Sequence, residues 1–179
     1  MPEESTKLVQ QAFLARQEGR LDDAKRDLVS AVDLCRKAKS RVELAKALTR
    51  LGAIERDLKN AEAARLHYEE AVAIYRTENN LLALAHSIRH LADIQREQER
   101  QDLARACYQE ALNLYRDQEQ TAPLDLANAI RGFALLKEAV GEKEQARALW
   151  EEAGRLYAAV NVEAGVSESL RRLEGLAEG

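Results

Sequence analysis

The chain repeats itself with a period of about 40 residues, and this constrains its fold more than any other feature. One period along the chain, Leu48, Gly52, Ala64, Tyr68, Ala71 and Tyr75 align with Ile88, Ala92, Ala104, Tyr108, Ala111 and Tyr115. The next period gives Ile130, Ala134, Ala146, Trp150, Ala153 and Tyr157, and the preceding one gives Leu8, Ala12, Ala24, Leu28, Ala31 and Cys35. We therefore predict four repeats, at approximately 4–43, 44–82, 83–124 and 125–162.

Each repeat carries two apolar stripes at helical spacing, separated by a short polar break. The breaks fall at 18–20, 59–60, 99–100 and 140–142. Asn60 is predicted to be an N-cap, and Pro123 to stand at the start of a helix. Good helix formers dominate the composition, so the pattern predicts an all-α protein with helices of about 15 residues.

Small and large residues alternate between the aligned columns, which has a packing reason. Alanine or glycine at 12, 52, 92 and 134 lets two helix backbones approach closely, and so does alanine at 24, 64, 104 and 146. Tyrosine and tryptophan occupy the bulky columns that fill the gaps between repeats. The aromatic side chains are therefore predicted to form core rather than a ligand site.

These columns resemble the signature of the tetratricopeptide repeat family over essentially the whole chain. The likeness is best at Leu51-Gly52, Ala64, Tyr68 and Ala71, and again at 141–146. The period is longer than the family's usual one of about 34 residues and is similar to that of kinesin light chains. The resemblance implies a single domain over 1–179: a right-handed superhelical solenoid of four helix–turn–helix repeats plus a C-terminal capping helix at 163–177. Val166, Leu170 and Leu173 are expected to form the stripe by which that helix covers the last repeat.

The resemblance also implies a protein–protein interaction adaptor, because such arrays bind a peptide or protein segment in a concave groove lined by the first helix of each repeat. Spacing along those helices predicts which side chains line this groove. They are Phe13, Arg16, Lys46, Thr49, Arg56, His86, Arg89, Asp93, Arg96, Asn128, Arg131 and Leu135.

Two rows of arginine run through the predicted groove, one at 16, 56 and 96 and the other at 89, 131 and 171. Guanidinium groups favour carboxylates, so the rows favour an acidic partner, although Asp57, Asp93, Glu97 and Glu138 can offset part of the charge. Arginine recurs equally regularly on the second helices, at 65, 105 and 147. Solvated rows inherited by repeat duplication are therefore the commoner explanation for such spacing.

Two further sites are weaker. Val9, Phe13 and Leu14 lie on the first helix, which no repeat precedes, and they could support a homodimer through this helix or a structural role in oligomerisation. His86, His90 and Asp93 fall at helical spacing and could hold a metal, but no further motif accompanies them. We predict no metal and no cofactor.

Composition excludes several function classes. The formal net charge is −4 and the pI about 5.6, which argues against nucleic acid as a partner. No stretch suits a membrane, and the two cysteines fit a reducing, cytoplasmic location. No acid pair, nucleophile–base pair or phosphate-binding loop is visible, so we expect no catalytic residues and no enzyme activity.

Overall fold

A computed structural model describes residues 2–178, which form nine α-helices and no strand. The helices are α1 (Pro2–Gln17), α2 (Leu21–Ala38), α3 (Arg41–Asp57), α4 (Ala61–Thr77), α5 (Leu81–Glu97), α6 (Gln101–Arg116), α7 (Pro123–Ala139), α8 (Lys143–Ala159) and α9 (Glu163–Glu178). Each has 16 to 18 residues, slightly more than predicted. The long period therefore comes from longer helices. Within the described part of the chain, no helix is long and apolar enough to cross a membrane.

The helices group into two compact units that divide between Asn80 and Leu81. The N-terminal unit contains α1 to α4, and the C-terminal unit contains α5 to α9. The helices α1, α3, α5 and α7 each pack against the even-numbered helix that follows, and α9 packs against α8. We call the odd-numbered helices first helices and the even-numbered ones second helices.

The predicted polar breaks are tight turns that end the first helices. Gly19, Lys59, Glu99 and Gly141 occupy the same place in the turns within the four repeats, and each has a positive φ. This left-handed residue lets the next backbone N–H reach back to a carbonyl of the last helical turn, as Asn60 N does to Glu55 O at 2.8 Å. Pro123 begins α7, as predicted. Asn60 precedes α4, but its side chain donates to Glu55 Oε2 at 2.8 Å instead of capping that helix.

The predicted columns form the core of both units. Tyr68, Tyr108 and Trp150 have no exposed surface, and the column of Tyr75, Tyr115 and Tyr157 is 2% exposed. Small residues allow the close approach that the columns suggested. A Cβ on Gly52 would lie 2.9 Å from the Tyr68 ring. The aromatic residues of these two columns are core, as expected.

Helix α9 covers α8, but with a different stripe from the predicted one. Val166 and Leu173 pack against the core of the C-terminal unit, whereas Leu170 is 56% exposed. Ser169 is buried in its place, and its Cβ lies 3.2 Å from the position that a Cβ on Gly154 would take. Small residues here bring the two helix backbones together, which turns Leu170 outward.

Candidate partner-binding face

Inter-helix ion pairs distinguish two faces in each unit. In the N-terminal unit, Arg16 on α1 donates to Asp57, in the last turn of α3, at 2.7 Å. On the other side, Arg36 of α2 donates to both oxygens of Glu70 on α4 at 2.7 and 3.0 Å. Pairs of the first kind join first helices, and pairs of the second kind join second helices. The first-helix face of each unit carries the residues predicted to bind a partner.

The first helices of the N-terminal unit carry an exposed aromatic ring on α1 and side-chain hydrogen bonds within α3. Phe13 is 48% exposed. Lys46 donates to Glu43 on its own helix at 2.9 Å, and the Thr49 hydroxyl donates to the Ala45 carbonyl at 2.9 Å. Arg56 is half-buried. This face therefore combines an apolar group with cations that remain close to solvent.

In the C-terminal unit, Asp93 anchors a buried polar cluster. The Tyr108 hydroxyl donates to Asp93 Oδ1 at 2.7 Å, and Arg89 Nη1 donates to Oδ2 at 3.1 Å. Arg96 Nε donates to the same tyrosine oxygen at 3.3 Å. Burial, with the Asp93 charge beside it, raises the pKa of Tyr108 far above its ordinary value. Tyr108 is therefore a permanent donor that fixes Asp93.

The two histidines of α5 continue this cluster toward α7. The Nε2 atoms of His86 and His90 are 3.2 Å apart, and Arg89 Nη2 lies 2.8 Å from His90 Nε2. Because a guanidinium group can only donate, His90 Nε2 is the acceptor. His86 Nδ1 lies 3.9 Å from Asp125 on α7. The three residues weighed as metal ligands thus contact one another and an arginine. The described residues include no group of three or more ligands placed to hold a metal.

Helices α7, α8 and α9 meet around Arg131. Its Nε and Nη2 donate to the two carboxylate oxygens of Glu168 at 2.6 and 2.8 Å. This hydrogen-bonded pair raises the pKa of Arg131 and lowers that of Glu168. The Tyr157 hydroxyl donates to Asn128 Oδ1 at 2.9 Å, which fixes the side-chain amide on α7. Leu135, one turn beyond Arg131, is partly buried against the core.

A comparison with protein families matches the tetratricopeptide repeat to residues 3–77 and 43–117. The chain belongs to the tetratricopeptide repeat family. A comparison with curated proteins finds no match.

A solved structure has a similar fold. The crystal structure of BtubC (BKLC) from P. vanneervenii has a TM-score of 0.78 at 21% sequence identity. The match covers 88% of this chain and 64% of BtubC, so the chain spans less than two thirds of that protein's length. The likeness shows the fold, which is an all-α helical-repeat solenoid.

The arginine rows of this tetratricopeptide repeat protein are paired internally to a greater extent than the sequence suggested. Three of the four carboxylates that were expected to offset them do so: Asp57 pairs with Arg16, Asp93 with Arg89 and Glu97 with Arg96. Glu138 pairs instead with Arg172, which lies outside both rows. The second-helix row is also paired, as Arg105 is with Glu142. Regular arginine spacing alone therefore does not mark a binding surface.

Sequence reasoning missed Glu168 and the hydroxyl groups of Tyr108 and Tyr157. A signal for Glu168 was present, because the repeat places it in one column with Lys46, His86 and Asn128. The tyrosine columns gave only the burial of the rings. Whether a hydroxyl at the edge of a buried ring reaches a polar partner depends on helix packing that the columns do not specify.

Proposed function

We propose that this chain is an adaptor that binds a peptide or a segment of a partner protein on its first-helix faces. Tetratricopeptide repeats are in general protein–protein interaction modules, and they are typically scaffolds rather than enzymes. Asn128 carries the proposal. Because its amide oxygen accepts from Tyr157, its amide N–H donors turn away from that hydroxyl, pre-oriented for a backbone carbonyl of a bound peptide.

Other first-helix residues add specificity to this backbone contact. Phe13 offers an exposed ring for an apolar side chain. Lys46 and Arg131 retain solvent access beside their carboxylate partners, with 52% and 39% of their side chains exposed. Since most cations of these faces are already paired, we propose a partner with single acidic side chains rather than a long acidic run.

The test compares two asparagines. Peptides selected by display against the full chain are titrated by calorimetry into the wild type, Asn128→Ala and Asn113→Ala. Asn113 is exposed on the second helix α6, so its substitution is a matched control. Loss of a peptide hydrogen bond should weaken binding about threefold to tenfold in Asn128→Ala. Equal affinities for the two variants would rule out this contact.

A second candidate is a structural subunit that forms a homodimer through α1. Phe13 and Leu14 are neighbours in sequence and are 48% and 49% exposed, so α1 presents two adjacent large apolar side chains to solvent. Light scattering after size exclusion tests this with Leu14→Ser, and Leu66→Ser on α4 is the control because Leu66 is 54% exposed. A dimer lost only in Leu14→Ser would favour this candidate. A wild-type monomer at high concentration would exclude it.

We place this adaptor in the cytoplasm, as the cysteine content suggests. Cys35 is buried and Cys107 half-buried, and neither forms a disulfide. Cysteines stay reduced in a reducing compartment. Localisation of a fluorescent fusion checks this assignment, and secretion of the fusion would contradict it.

A further inference from the structure

The two central arginines of the C-terminal unit are held in different ways. Arg89 pairs with Asp93 one turn along the same helix. Arg131 pairs with Glu168, 37 residues away on α9. Both donors of its guanidinium edge meet the two oxygens of one carboxylate, which is the geometry in which arginine binds a carboxylate ligand. Arg131 thus already holds a carboxylate, which α9 supplies.

Glu168 is unusual for its place in the repeat. The same column holds Lys46 on α3, His86 on α5 and Asn128 on α7. Only α9, among these four first helices, places an acid there. The pair is also accessible, since 39% of the Arg131 side chain and 20% of the Glu168 side chain are exposed. A carboxylate from solvent can therefore reach the same guanidinium edge.

The packing of α9 positions the groups that would contact a partner. The Tyr157 ring lies directly against Gly165 of α9, while its hydroxyl holds Asn128 on α7. Arg172 of α9 donates to Glu138 of α7 at 3.0 Å. Arg131, Asn128 and the edge of Tyr157 therefore lie side by side where Glu168 docks.

We propose that Glu168 is an internal competitor, which occupies Arg131 in place of an aspartate or glutamate side chain of the bound partner. This inference rests on the proposed function and names the chemistry of one contact within it. A partner carboxylate binds at Arg131 by exchange: one charge-assisted pair breaks and an equivalent pair forms. Such an exchange yields little net affinity, so Glu168 weakens binding of acidic segments that do not also engage the neighbouring groups.

A blocked pentaglutamate peptide is a suitable probe, because it supplies side-chain carboxylates and little else. Its affinity is measured by calorimetry for the wild type, Glu168→Gln, Glu174→Gln and the double variant Glu168→Gln with Arg131→Gln. Glu174→Gln removes the same charge from an exposed position of the same helix and is the matched control. Glu168→Gln should bind the probe about fivefold more tightly than Glu174→Gln does. The double variant should lose this gain.

Two results would overturn the proposal. One is a Glu168→Gln affinity no higher than that of Glu174→Gln, including the case in which neither binds. The other is a gain that persists when Arg131 is also replaced. Glu168→Asp is the control for displacement of α9, because it keeps the charge but shortens the side chain. This variant should show a smaller gain in affinity for the probe, in the same direction.

The internal competitor and the proposed function can fail independently of each other. If Glu168→Gln gains nothing while Asn128→Ala still weakens the selected peptides, the internal competitor is wrong and the adaptor stands. If Asn128→Ala has no effect while Glu168→Gln gains through Arg131, the carboxylate site is real, but the proposed backbone contact is not.

Discussion

Lys59 shows how the turns are built at the level of single residues. It has a φ of 65°, a left-handed conformation that disfavours a side chain. Gly19 and Gly141 hold the same place in other turns without this cost. The turn geometry thus recurs from repeat to repeat while the residue type varies.

Replacing this lysine by glycine should stabilise the protein. Lys59→Gly relieves the backbone strain of an exposed residue, and we expect about 0.5 to 1 kcal/mol of added stability in urea unfolding. Lys7→Gly, at an exposed position inside α1, should instead destabilise by about 1 kcal/mol. Equal losses in both variants would show that the turn does not favour glycine.

The hydroxyl group of Tyr108 should contribute more to stability than that of Tyr157. Tyr108→Phe leaves the buried Asp93 carboxylate with one donor fewer, which should cost about 1 to 3 kcal/mol. Tyr157→Phe frees the half-buried, neutral Asn128, which water can reach, so the cost should be about 1 kcal/mol or less. Chemical denaturation of both variants checks this order, and the reverse order would contradict it.

At the scale of single elements, α9 depends on one close contact. A Cβ at position 165 would lie 2.4 Å from the Tyr157 ring, which is buried and cannot move aside without disturbing α8. Gly165→Ala should therefore loosen α9 and destabilise the C-terminal unit by about 1 to 3 kcal/mol. Trp150, the only tryptophan of the chain, is buried in this unit and reports its unfolding by fluorescence.

Gly175→Ala is the control for this substitution. A Cβ at position 175 meets no atom within 4 Å, and the residue is exposed near the end of the same helix. The control should be neutral or slightly stabilising, since alanine favours helix more than glycine does. If both variants unfold alike, the contact of Gly165 with Tyr157 does not hold α9 in place.

The sequence predicted the elements better than their contacts. Column alignment predicted the turns, the helix start at Pro123 and the burial of the aromatic rings, because these depend on local pattern and residue size. It placed Leu170 in the wrong stripe, because the close approach of Ser169 to Gly154 is a property of two helices together. It also could not show that Arg131 meets Glu168, because the rotation of α9 about its axis is set by packing.

For the whole molecule, acidification should reduce stability in two stages. Burial lowers the pKa of His67, whose ordinary value is 6.5. A histidine whose pKa is lowered by folding stabilises the protein above pH 6.5. This contribution is lost as the pH falls through the pKa of the histidine in the folded state. The carboxylates lose their contribution to stability at lower pH. Hydrogen bonds from Arg105 and Lys137 lower the pKa of Glu142 from 4.5 to about 2, and the contribution of Glu142 is lost as the pH falls through that range.

Melting temperatures measured between pH 8 and pH 2 check both stages. His67→Gln should flatten the curve between about pH 7 and pH 5 and leave the steeper acid limb unchanged. Glu142→Gln should lower the melting temperature at neutral pH and reduce the acid limb. A wild-type melting temperature that rises on acidification would contradict the sign of these shifts.

The most direct test of the first-helix faces as the binding surface is side-chain NMR of the full chain during titration with a display-selected peptide. Asn128 and Arg131 lie on a first helix, and Asn113 and Arg116 on a second helix, so the four side-chain N–H signals compare the two faces with matched groups. We expect large shifts for Asn128 and Arg131 and almost none for Asn113 and Arg116. Shifts confined to Asn113 and Arg116 would place the partner on the second-helix face and contradict the proposed function.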